Sequence, residues 1–300
     1  MRLISMENQE QFPLVSVPVI TYNSSKTVLE TLDSIYAQTY PTIELIISDD
    51  CSTDDTVRIC QNWIDKNKDR FVRVELLTVP HNTGVSANCN RAAKVCQGEW
   101  VKGIAGDDIL LPNCISDCMK FASVHPDMVY LFGKVIVFGS SNEDCDRVSK
   151  FFDYNFFNLT QEQQLQRLIF EGNCIPASAA FYNKKNLDKI GVKNDERIPL
   201  LEDWPKWINL LKAGAKLHFI DKGLVKYRIS QGSLSAGNTL SLSYKKSIAL
   251  VYILYQFKPM YKASEHRIDE IHRYVRCKII VTGKWYWFVI NRLMKILGNE

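Results

Sequence analysis

The sequence predicts an α/β fold built around a doubly wound, mainly parallel sheet. Short apolar runs rich in β-branched residues alternate with segments of helical periodicity from residue 14 to residue 104. Clusters of polar residues follow directly after these runs, as they do where parallel strands end. The chain has 300 residues and 46% hydrophobic content, so it can bury a large core without disulfides or structural metals.

The first third of the chain contains four predicted strands and three predicted helices. The strands are expected at residues 14–20, 43–47, 72–79 and 100–104. Helical spacing of apolar residues begins at Val28 and at Val57, and a third helix is expected to run through Val95. Thr27 and Glu30 have the spacing of a capping box at the start of the first helix.

The alternation of strands and helices is looser after Pro112. We expect one or two strands within 127–138, a polar connection without periodicity over 140–150, an aromatic core cover at 151–157, an amphipathic helix over 160–170 and a strand at 177–182. A further helix is expected to begin at Asp203. Two short strands follow at 217–220 and 224–227.

Four polar clusters fall at the predicted carboxyl ends of strands, at residues 21–25, 48–55, 81–84 and 106–108. Because these ends meet at one edge of a parallel sheet, we expect a single ligand site there. The chain contains neither Gly-x-Gly-x-x-Gly nor Gly-x-x-x-x-Gly-Lys-Ser/Thr, which excludes a dinucleotide fingerprint and a P-loop. A cation held by Asp108, with help from Asp107, would then hold phosphate groups.

Two pairs of acidic residues are candidates for chemistry. Asp107 and Asp108 follow an apolar run, where like charges repel unless a hard divalent cation neutralises them; the alternative is a turn with an Asp N-cap. Asp203 follows Glu202 and precedes Trp204 at a predicted helix start. It is either an N-cap or a general base whose pKa is raised by the apolar neighbour.

Composition favours a reducing cytosol and a partner with negative charge. The nine cysteines are scattered, without a Cys-x-x-Cys pair, and no basic region followed by an apolar stretch opens the chain. We find no run of about eighteen apolar residues, so no spanning helix is expected. Residues 231–300 hold eleven Lys or Arg against four Asp or Glu, a block that suits lipid headgroups or nucleic acid.

Several short motifs stand in a specific order along the chain. They are Val15-Ser16-Val17 with Thr21-Tyr22-Asn23, Ser34-Ile35 with Gln38-Thr39-Tyr40, Asp49-Asp50-Cys51-Ser52-Thr53-Asp54, Asn82-Thr83-Gly84, Gly98-Glu99-Trp100, Gly106-Asp107-Asp108, Glu202-Asp203-Trp204, and Tyr227-Arg228 with Ser233-Leu234-Ser235. Together they resemble the inverting nucleotide-sugar glycosyltransferases of the GT-A fold, of the glycosyltransferase family 2 type. That family builds bacterial surface polysaccharides, and the resemblance covers residues 13–236.

The resemblance implies a role for each matching residue. Asp50 is similar to the residue that contacts the uracil edge, and the base and ribose pocket involves Thr21, Tyr22, Asn23 and Gly84. Asp107 would face the ribose or donor sugar, and Asp108 would bind the Mn²⁺ or Mg²⁺ that bridges the diphosphate. Asp203 would be the catalytic base, and the donor or acceptor region would include Glu202, Trp204 and Arg228.

The resemblance also implies an organisation and an activity. A GT-A domain would occupy 1–236, with a nucleotide-sugar half at 13–112 and an acceptor half at 113–236, before a basic helical extension over 237–300. The expected reaction moves a hexose, with inversion, from a UDP-sugar to a saccharide acceptor on polyprenyl diphosphate, in O-antigen, capsule or other surface polysaccharide synthesis. The protein would be cytoplasmic, with peripheral attachment to the inner face of the cell membrane as a further hypothesis.

Two positions depart from the family pattern. Ser230 stands where relatives often carry a His after Tyr-Arg-x, which predicts weaker metal affinity because that His can approach the metal. Pro18 lies earlier in the first strand than the usual proline, so the local backbone near the base pocket is expected to differ.

The C-terminal part is predicted to be helical over 244–257, 266–281 and 284–297. Residues 284–288 mix Trp, Tyr and Phe with Lys, which suits an anionic membrane surface; the alternative is a helix packed on the domain with solvated cations. Nucleic acid is not the expected partner, although a salt-sensitive shift with DNA but not with anionic liposomes would favour it.

Two other functions remain open from the sequence. A sugar nucleotidyltransferase shares the fold type, but it is expected to have a Gly-rich basic loop after the first strand, and residues 21–26 contain no glycine and only Lys26 as a cation. A nucleotide-sugar-binding protein of the same fold, without turnover, is the non-enzymatic alternative.

Overall fold

A computed structural model describes residues 12–139, 141–230 and 242–256, together with the single positions 273, 277 and 280. The strands are β1 (Val15–Thr21), β2 (Ile43–Asp49), β3 (Arg73–Leu77), β4 (Trp100–Val101), β5 (Ile104–Ala105), β6 (Ile109–Leu110), β7 (Tyr130–Gly139), β8 (Phe181–Asn183) and β9 (Leu217–Ile229). The α-helices are α1 (Val28–Tyr36), α2 (Thr56–Asn67), α3 (Val85–Val95), α4 (Cys114–Ala122), α5 (Asn142–Phe151), α6 (Gln161–Phe170), α7 (Lys184–Ile190), α8 (Asp203–Lys212) and α9 (Leu242–Val251). Short 3₁₀ segments span Lys68–Arg70, Tyr154–Asn158 and Ala177–Ala179.

These strands form one mixed, mainly parallel sheet in the order β3-β2-β1-β4-β8-β7-β9-β6, with β5 also paired to β1. The strands β1, β2 and β3 are parallel, with β2 between the other two. The strands β4 and β5 pair with the other edge of β1 and are parallel to it. Two short strands, β8 and β6, are antiparallel to their neighbours. The predicted α/β class and doubly wound arrangement are confirmed, and helices cover both sheet faces.

The fourth predicted strand is interrupted, which the sequence analysis did not anticipate. Residues 100–101 pair with β1 at Val15 and Ser16, and residues 104–105 pair with it at Val19 and Ile20. Pro18 of β1 lies between these two stretches and has no N–H to donate to a neighbouring strand. The ladder therefore stops at residues 102–103 and resumes at β5, so the displaced proline changes the sheet beside the loop that follows β5.

The second half differs from expectation in three elements. The residues 140–150 were expected to be aperiodic, but Asn142–Phe151 is a helix whose N-cap, Ser141, accepts a hydrogen bond from the Asp144 N–H. The two short strands expected near 217–227 are one strand, β9, which runs parallel to β7 along most of its length. The strand expected at 177–182 begins as a 3₁₀ turn and becomes β8 only at Phe181.

Two large apolar clusters support the two halves. One joins β1 and β2 to α1, α2 and α4, and it includes Val17, Leu45 and Leu32. The other joins β7 to α6 and α8, with Trp207 and Phe156 fully buried at its centre. Within the aromatic stretch predicted to cover the core, Phe156 is buried but Phe151 is 56% exposed, so that prediction is correct only in part.

A charged network closes the amino end of β2, on the side of the sheet away from the polar loops. Glu44 is completely buried and accepts hydrogen bonds from the Ser16 hydroxyl at 2.5 Å and from the Gln97 N–H at 2.9 Å. Arg73 forms an ion pair with the same carboxylate. A buried carboxylate is tolerated because each of its partners donates a hydrogen bond.

From residue 242, the C-terminal part is described as continuous chain up to Gln256. The first predicted helix is present as α9 and a following π turn at Tyr252–Gln256, and Val251 and Tyr255 pack into the second apolar cluster. The helices predicted at 266–281 and 284–297, the proposed domain boundary at 236 and position Ser233 lie outside the residues that can be described as elements. Among the described residues, no helix is long and apolar enough to cross a membrane.

Candidate active site

The loops after β1 and β2 are locked together by side-chain hydrogen bonds. Asn23 has φ of 51°, and its N–H donates to the Ser52 hydroxyl at 2.8 Å while its side-chain oxygen accepts from the Thr53 N–H at 2.8 Å. The Thr21 hydroxyl is buried and donates to Asp49, so this side chain faces β2. Tyr22 is 51% exposed at the rim, where a flat ligand can reach it. Thr21 and Asn23 thus shape the loop, and Tyr22 presents a surface.

Asp50 is buried at the end of β2 and is held by three neighbours. Its carboxylate accepts hydrogen bonds from the Thr83 hydroxyl at 2.5 Å, the Gly84 N–H at 2.7 Å and the Arg91 guanidinium at 3.1 Å. Burial alone would raise the pKa of Asp50, but the hydrogen bonds from Thr83, Arg91 and Gly84 outweigh it and lower the pKa. The structure therefore places an ionised carboxylate between β2 and the N-terminus of α3.

Gly84 connects the surroundings of Asp50 to the segment that precedes α8. Its φ of +88° suits glycine, and an added Cβ would lie 2.8 Å from the Cβ of Pro199. The Ser86 hydroxyl donates to the Ile198 carbonyl at 2.6 Å, and the Asn90 amide donates to the Asn194 carbonyl at 3.0 Å. Residues 194–199, which we call the bridging segment, are thereby fixed against α3.

The loop with Asp107 and Asp108 is held against β1 and α1 by its backbone. The Gly106 N–H donates to the Ile20 carbonyl at 2.9 Å, and the hydroxyls of Thr27 and Thr31 donate to the carbonyls of Gly106 and Asp108 at 2.8 Å and 2.7 Å. The capping box expected from Thr27 and Glu30 does not form. The Thr27 hydroxyl is used by the acidic loop instead, which a local spacing pattern cannot reveal.

Arg228 ties the acidic loop to β9. Its backbone N–H donates to Oδ1 of Asp108 at 2.8 Å, and its Nε donates to the Asp107 carbonyl at 2.7 Å. The guanidinium also pairs with Glu30 at 2.8 Å and lies 4.5 Å from the centre of the Phe138 ring. Arg228 was a predicted site residue, whereas its partners Glu30 and Phe138 were missed because they are distant in sequence.

The electrostatics of the Asp107 and Asp108 pair favour a cation. Burial raises the pKa of Asp107, and burial together with the Asp107 charge raises the pKa of Asp108 well above its usual value. Burial and mutual repulsion make it costly to keep both carboxylates charged, and a hard divalent cation, which prefers oxygen ligands, would offset that cost. In the part of the chain that the structure describes, no group of three or more His, Cys, Asp or Glu side chains could hold a metal.

Lys102 lies in the break between β4 and β5 and was not singled out from the sequence. It is completely buried, and its ammonium group donates to the carbonyls of Gly103 at 2.8 Å and Ser178 at 2.6 Å. It also contributes a positive charge near Asp108. The sequence did not indicate a role for this lysine within the apolar run of residues 100–104, because its carbonyl partner at residue 178 is far along the chain.

Glu202 and Asp203 form the second acidic pair, at the N-terminus of α8. Oδ2 of Asp203 accepts a hydrogen bond from the Asn173 amide at 2.6 Å, and Oδ1 accepts one from the Trp204 N–H at 2.7 Å. The N-cap residue is Glu202, without a side-chain cap bond, so the alternative role of Asp203 as N-cap is wrong. Asp203 is the first helical residue, and each oxygen of its carboxylate accepts one of these two hydrogen bonds.

Burial raises the pKa values of both carboxyls in this pair. Burial and the charge of Asp203 raise the pKa of Glu202 to about 7, and burial raises the pKa of Asp203. Lys206, one turn further along α8, contributes a positive charge that lowers both values. Trp204 is anchored away from this pair, because its indole N–H donates to the Leu168 carbonyl at 2.9 Å. The arrangement suits a base that works near neutral pH.

The structure therefore brings the predicted site residues to one rim. Asp50, Gly84 and the acidic loop surround the carboxyl ends of β1, β2 and β5. Asp203 reaches the same side because the bridging segment fastens the chain before α8 to the N-terminal turn of α3. Sequence reasoning missed Asn173, Arg91 and Lys102, each of which supports one acidic residue.

Comparison with known proteins agrees with this geometry. A model of the family described as glycosyl transferase family 2 matches residues 16–191. The chain belongs to this family. The family-level prediction from the motifs is thus confirmed, and with it glycosyl transfer as the type of activity. Asp203 and Arg228 lie beyond the matched residues, so their placement rests on the structure.

This family 2 glycosyltransferase is similar to a curated enzyme and to several solved structures. It is 28% identical over 237 residues to the UDP-Glc:alpha-D-GlcNAc-diphosphoundecaprenol beta-1,3-glucosyltransferase WfaP of Escherichia coli, covering 78% of this chain and 85% of the relative. It is 19% identical to S. aureus TarS 1-349 solved with UDP-GlcNAc, with a TM-score of 0.62 over 89% of this chain and 72% of the other. The mannosyltransferase PcManGT from Pyrobaculum calidifontis, solved with GDP-Man and Mn²⁺, is 15% identical, with a TM-score of 0.59 over 97% and 82% of the two chains.

Proposed function

We propose that this family 2 glycosyltransferase moves a hexose, with inversion, from a UDP-sugar to a hydroxyl of a saccharide acceptor on a lipid diphosphate. The observation that carries the proposal is the pairing of two acidic sites on one rim. Asp108 is buried, Asp107 is partly buried beside it with its pKa also raised, and Asp203 lies across α3 with a raised pKa. One pair suits a cation and diphosphate, and the other suits proton removal.

The donor site is supported by Asp50, Tyr22 and the acidic loop. Asp50 is an ionised acceptor at the end of β2, the right type of group for a base N–H, although its partners Thr83 and Arg91 already donate to it. We therefore assign base recognition to the Asp50 carboxylate together with the groups that surround it. The TarS structure with UDP-GlcNAc and the UDP-Glc named for WfaP support uridine as the base.

A divalent metal fits the acidic loop, with Asp108 as its protein ligand and Asp107 beside it. Bound there, Mn²⁺ or Mg²⁺ would stabilise the negative charge that develops on the departing diphosphate. Arg228 holds the loop that presents both carboxylates through its bonds to Asp108 and to the Asp107 carbonyl. The Mn²⁺ in the PcManGT structure supports this choice of cofactor.

Asp203 is the proposed base. It would take the proton of the acceptor hydroxyl while that oxygen attacks the anomeric carbon and the nucleoside diphosphate leaves. A single carboxylate within about 3 Å of the hydroxyl is sufficient because no covalent intermediate forms, and one displacement inverts the anomeric centre. Glu202 remains beside it, and with a pKa of about 7 it is partly protonated at neutral pH.

The acceptor and the cellular location follow from the relatives and the charge pattern. The diphosphoundecaprenol named for WfaP supports a lipid-linked saccharide and a place in surface polysaccharide synthesis. Such an acceptor would hold the enzyme at the cytoplasmic face of the membrane, helped by the basic residues after 231. Loss of liposome binding on truncation at Thr282 is the test of that membrane contact.

The experiment compares wild type with Asp108→Asn, Asp203→Asn and the control Asp127→Asn, which changes an exposed aspartate. The substrates are a panel of UDP-sugars with Mn²⁺ or Mg²⁺ and a synthetic lipid-diphosphate saccharide. We expect the control to transfer sugar as wild type does, Asp108→Asn to lose metal-dependent UDP binding, and Asp203→Asn to bind UDP but not to transfer. Transfer by Asp203→Asn would overturn the role of the base. UDP-sugar binding without any turnover of wild type would identify a binding protein.

A further inference from the structure

The Asn173 side chain has only one orientation that satisfies its neighbours. It follows Gly172, whose φ is +105°, in the turn after α6. Its Oδ1 accepts a hydrogen bond from the Ile175 N–H at 3.1 Å, and its Nδ2 donates to Oδ2 of Asp203 at 2.6 Å. Because a backbone N–H can only donate, the oxygen must face Ile175 and the amino group must face Asp203.

The Asp203 carboxylate is thus held by two neutral donors. Oδ1 accepts from the Trp204 N–H at 2.7 Å, and Oδ2 accepts from Asn173. Each oxygen keeps a further lone pair, so the carboxylate can still accept the proton of a hydroxyl. Two bonds to different oxygens also prevent rotation of the carboxylate, which fixes the direction in which it can accept a proton.

Because the charges near Asp203 act on it in opposite directions, a hydrogen bond from a neutral donor can affect its pKa. Glu202 on the same helix opposes the negative charge, and Lys206 supports it. Cys89 on α3 and Tyr244 on α9 face the pair with raised pKa values, about 12 in each case, so both are neutral near pH 7. Tyr130 on β7 is a neighbour of Lys206. Lys206 therefore acts on both carboxyls, whereas the hydrogen bond from Asn173 goes to Asp203 alone.

We propose that Asn173 is a positioning residue for catalysis, which holds the Asp203 carboxylate ionised and pointed at the acceptor hydroxyl. This inference rests on the proposed function, because it assigns a helper to the proposed base. Asn173 does not touch the substrate in this scheme. It acts by favouring the charged form of Asp203, since a hydrogen bond to a carboxylate stabilises that form.

The isosteric variant Asn173→Asp provides the sharpest test. When ionised, its carboxylate can still accept from the Ile175 N–H, but it cannot donate to Asp203 and it adds a like charge next to Asp203. We expect the acidic limb of the kcat/KM profile to move up by at least about one pH unit, so that activity falls about tenfold at pH values below the limb and recovers on the plateau above it. Asn173→Ala, without the new charge, should shift the same limb by a smaller amount.

Two readouts separate this role from a structural one. UDP-sugar and Mn²⁺ affinity, measured by calorimetry at pH 7.5, should stay within twofold of wild type in both variants, and the control Asn158→Asp at an exposed asparagine should leave the profile unchanged. An unmoved limb with activity lowered equally at all pH values would overturn the inference. Full activity of Asp203→Asn would instead remove the proposed base, so the two failures are distinguishable.

Discussion

Glu202 is expected to make the folded protein less stable at high pH. Burial and Asp203 raise its pKa from the ordinary value of 4.5 to about 7. In this pH window the folded chain binds more protons than the unfolded chain, so stability falls as pH rises from 4.5 to 7. The difference between the two pKa values is equivalent to about 3 kcal/mol, and solvent near the partly exposed side chain reduces it to about 2 kcal/mol. Glu202→Gln, which is never charged, should escape this loss.

Urea unfolding of wild type and Glu202→Gln at pH 4.5 and pH 8 measures the effect. The variant should match wild type to within about 0.5 kcal/mol at pH 4.5 and exceed it by about 2 kcal/mol at pH 8. The control Glu162→Gln, at an exposed glutamate on α6, should change stability by less than about 0.5 kcal/mol at both pH values. Equal stabilities of wild type and Glu202→Gln at pH 8 would refute the claim that burial holds a proton on Glu202.

Three further predictions concern substitutions at Glu44, Gly106 and Arg70. Glu44→Ala should lower the unfolding free energy by about 2 kcal/mol, because it removes the acceptor of the buried Ser16 hydroxyl and of the Gln97 N–H and one of the two carboxylates paired with Arg73, while UDP affinity of the folded protein stays unchanged. Gly106→Ala should weaken UDP and Mn²⁺ binding at least tenfold, because its Cβ would lie 2.8 Å from Cγ2 of Thr21, whereas the control Gly103→Ala meets its nearest atom at 3.9 Å and should bind normally. Arg70→Lys should cost about 2 kcal/mol in urea unfolding, because the guanidinium donates to four backbone carbonyls at 2.7 to 3.2 Å and an ammonium cannot match that geometry; a loss below about 0.5 kcal/mol would contradict it.

Much of the fold could be predicted because its signals are local. Each strand of the first half is a compact apolar run, and each helix repeats apolar residues at helical spacing, as for Val28 and Leu32 in α1. The interruption at Lys102 and Gly103 could not be read in the same way, because it depends on Pro18 in a strand more than eighty residues away. The helix over 142–151 was missed because it has no buried residue and hence no apolar period.

The acidic residues of the candidate site could be proposed from the sequence, but the residues that hydrogen-bond to them could not. Asp108 and Asp203 stand out because carboxylates next to apolar runs or aromatic residues are unusual and need a reason. Asn173, by contrast, is an ordinary polar residue until the fold places it 2.6 Å from Asp203, thirty positions later in the chain. The Thr27 hydroxyl shows the reverse error, because a familiar local pattern suggested a helix cap and a tertiary contact took the hydroxyl instead.

Because the bridging segment is hydrogen-bonded to α3, residues 83–91 and 194–203 have to be exchanged together between related proteins. A chimera joined near residue 112 would keep the second apolar cluster whole but divide the first between the two parents, and it would set a foreign segment against the Ser86 hydroxyl and the Asn90 amide. The acid at the start of α8 would then shift relative to the carboxylate held by Thr83 and Gly84. A chimera that preserves the spacing of these two carboxylates therefore takes α3 and the bridging segment from the same parent.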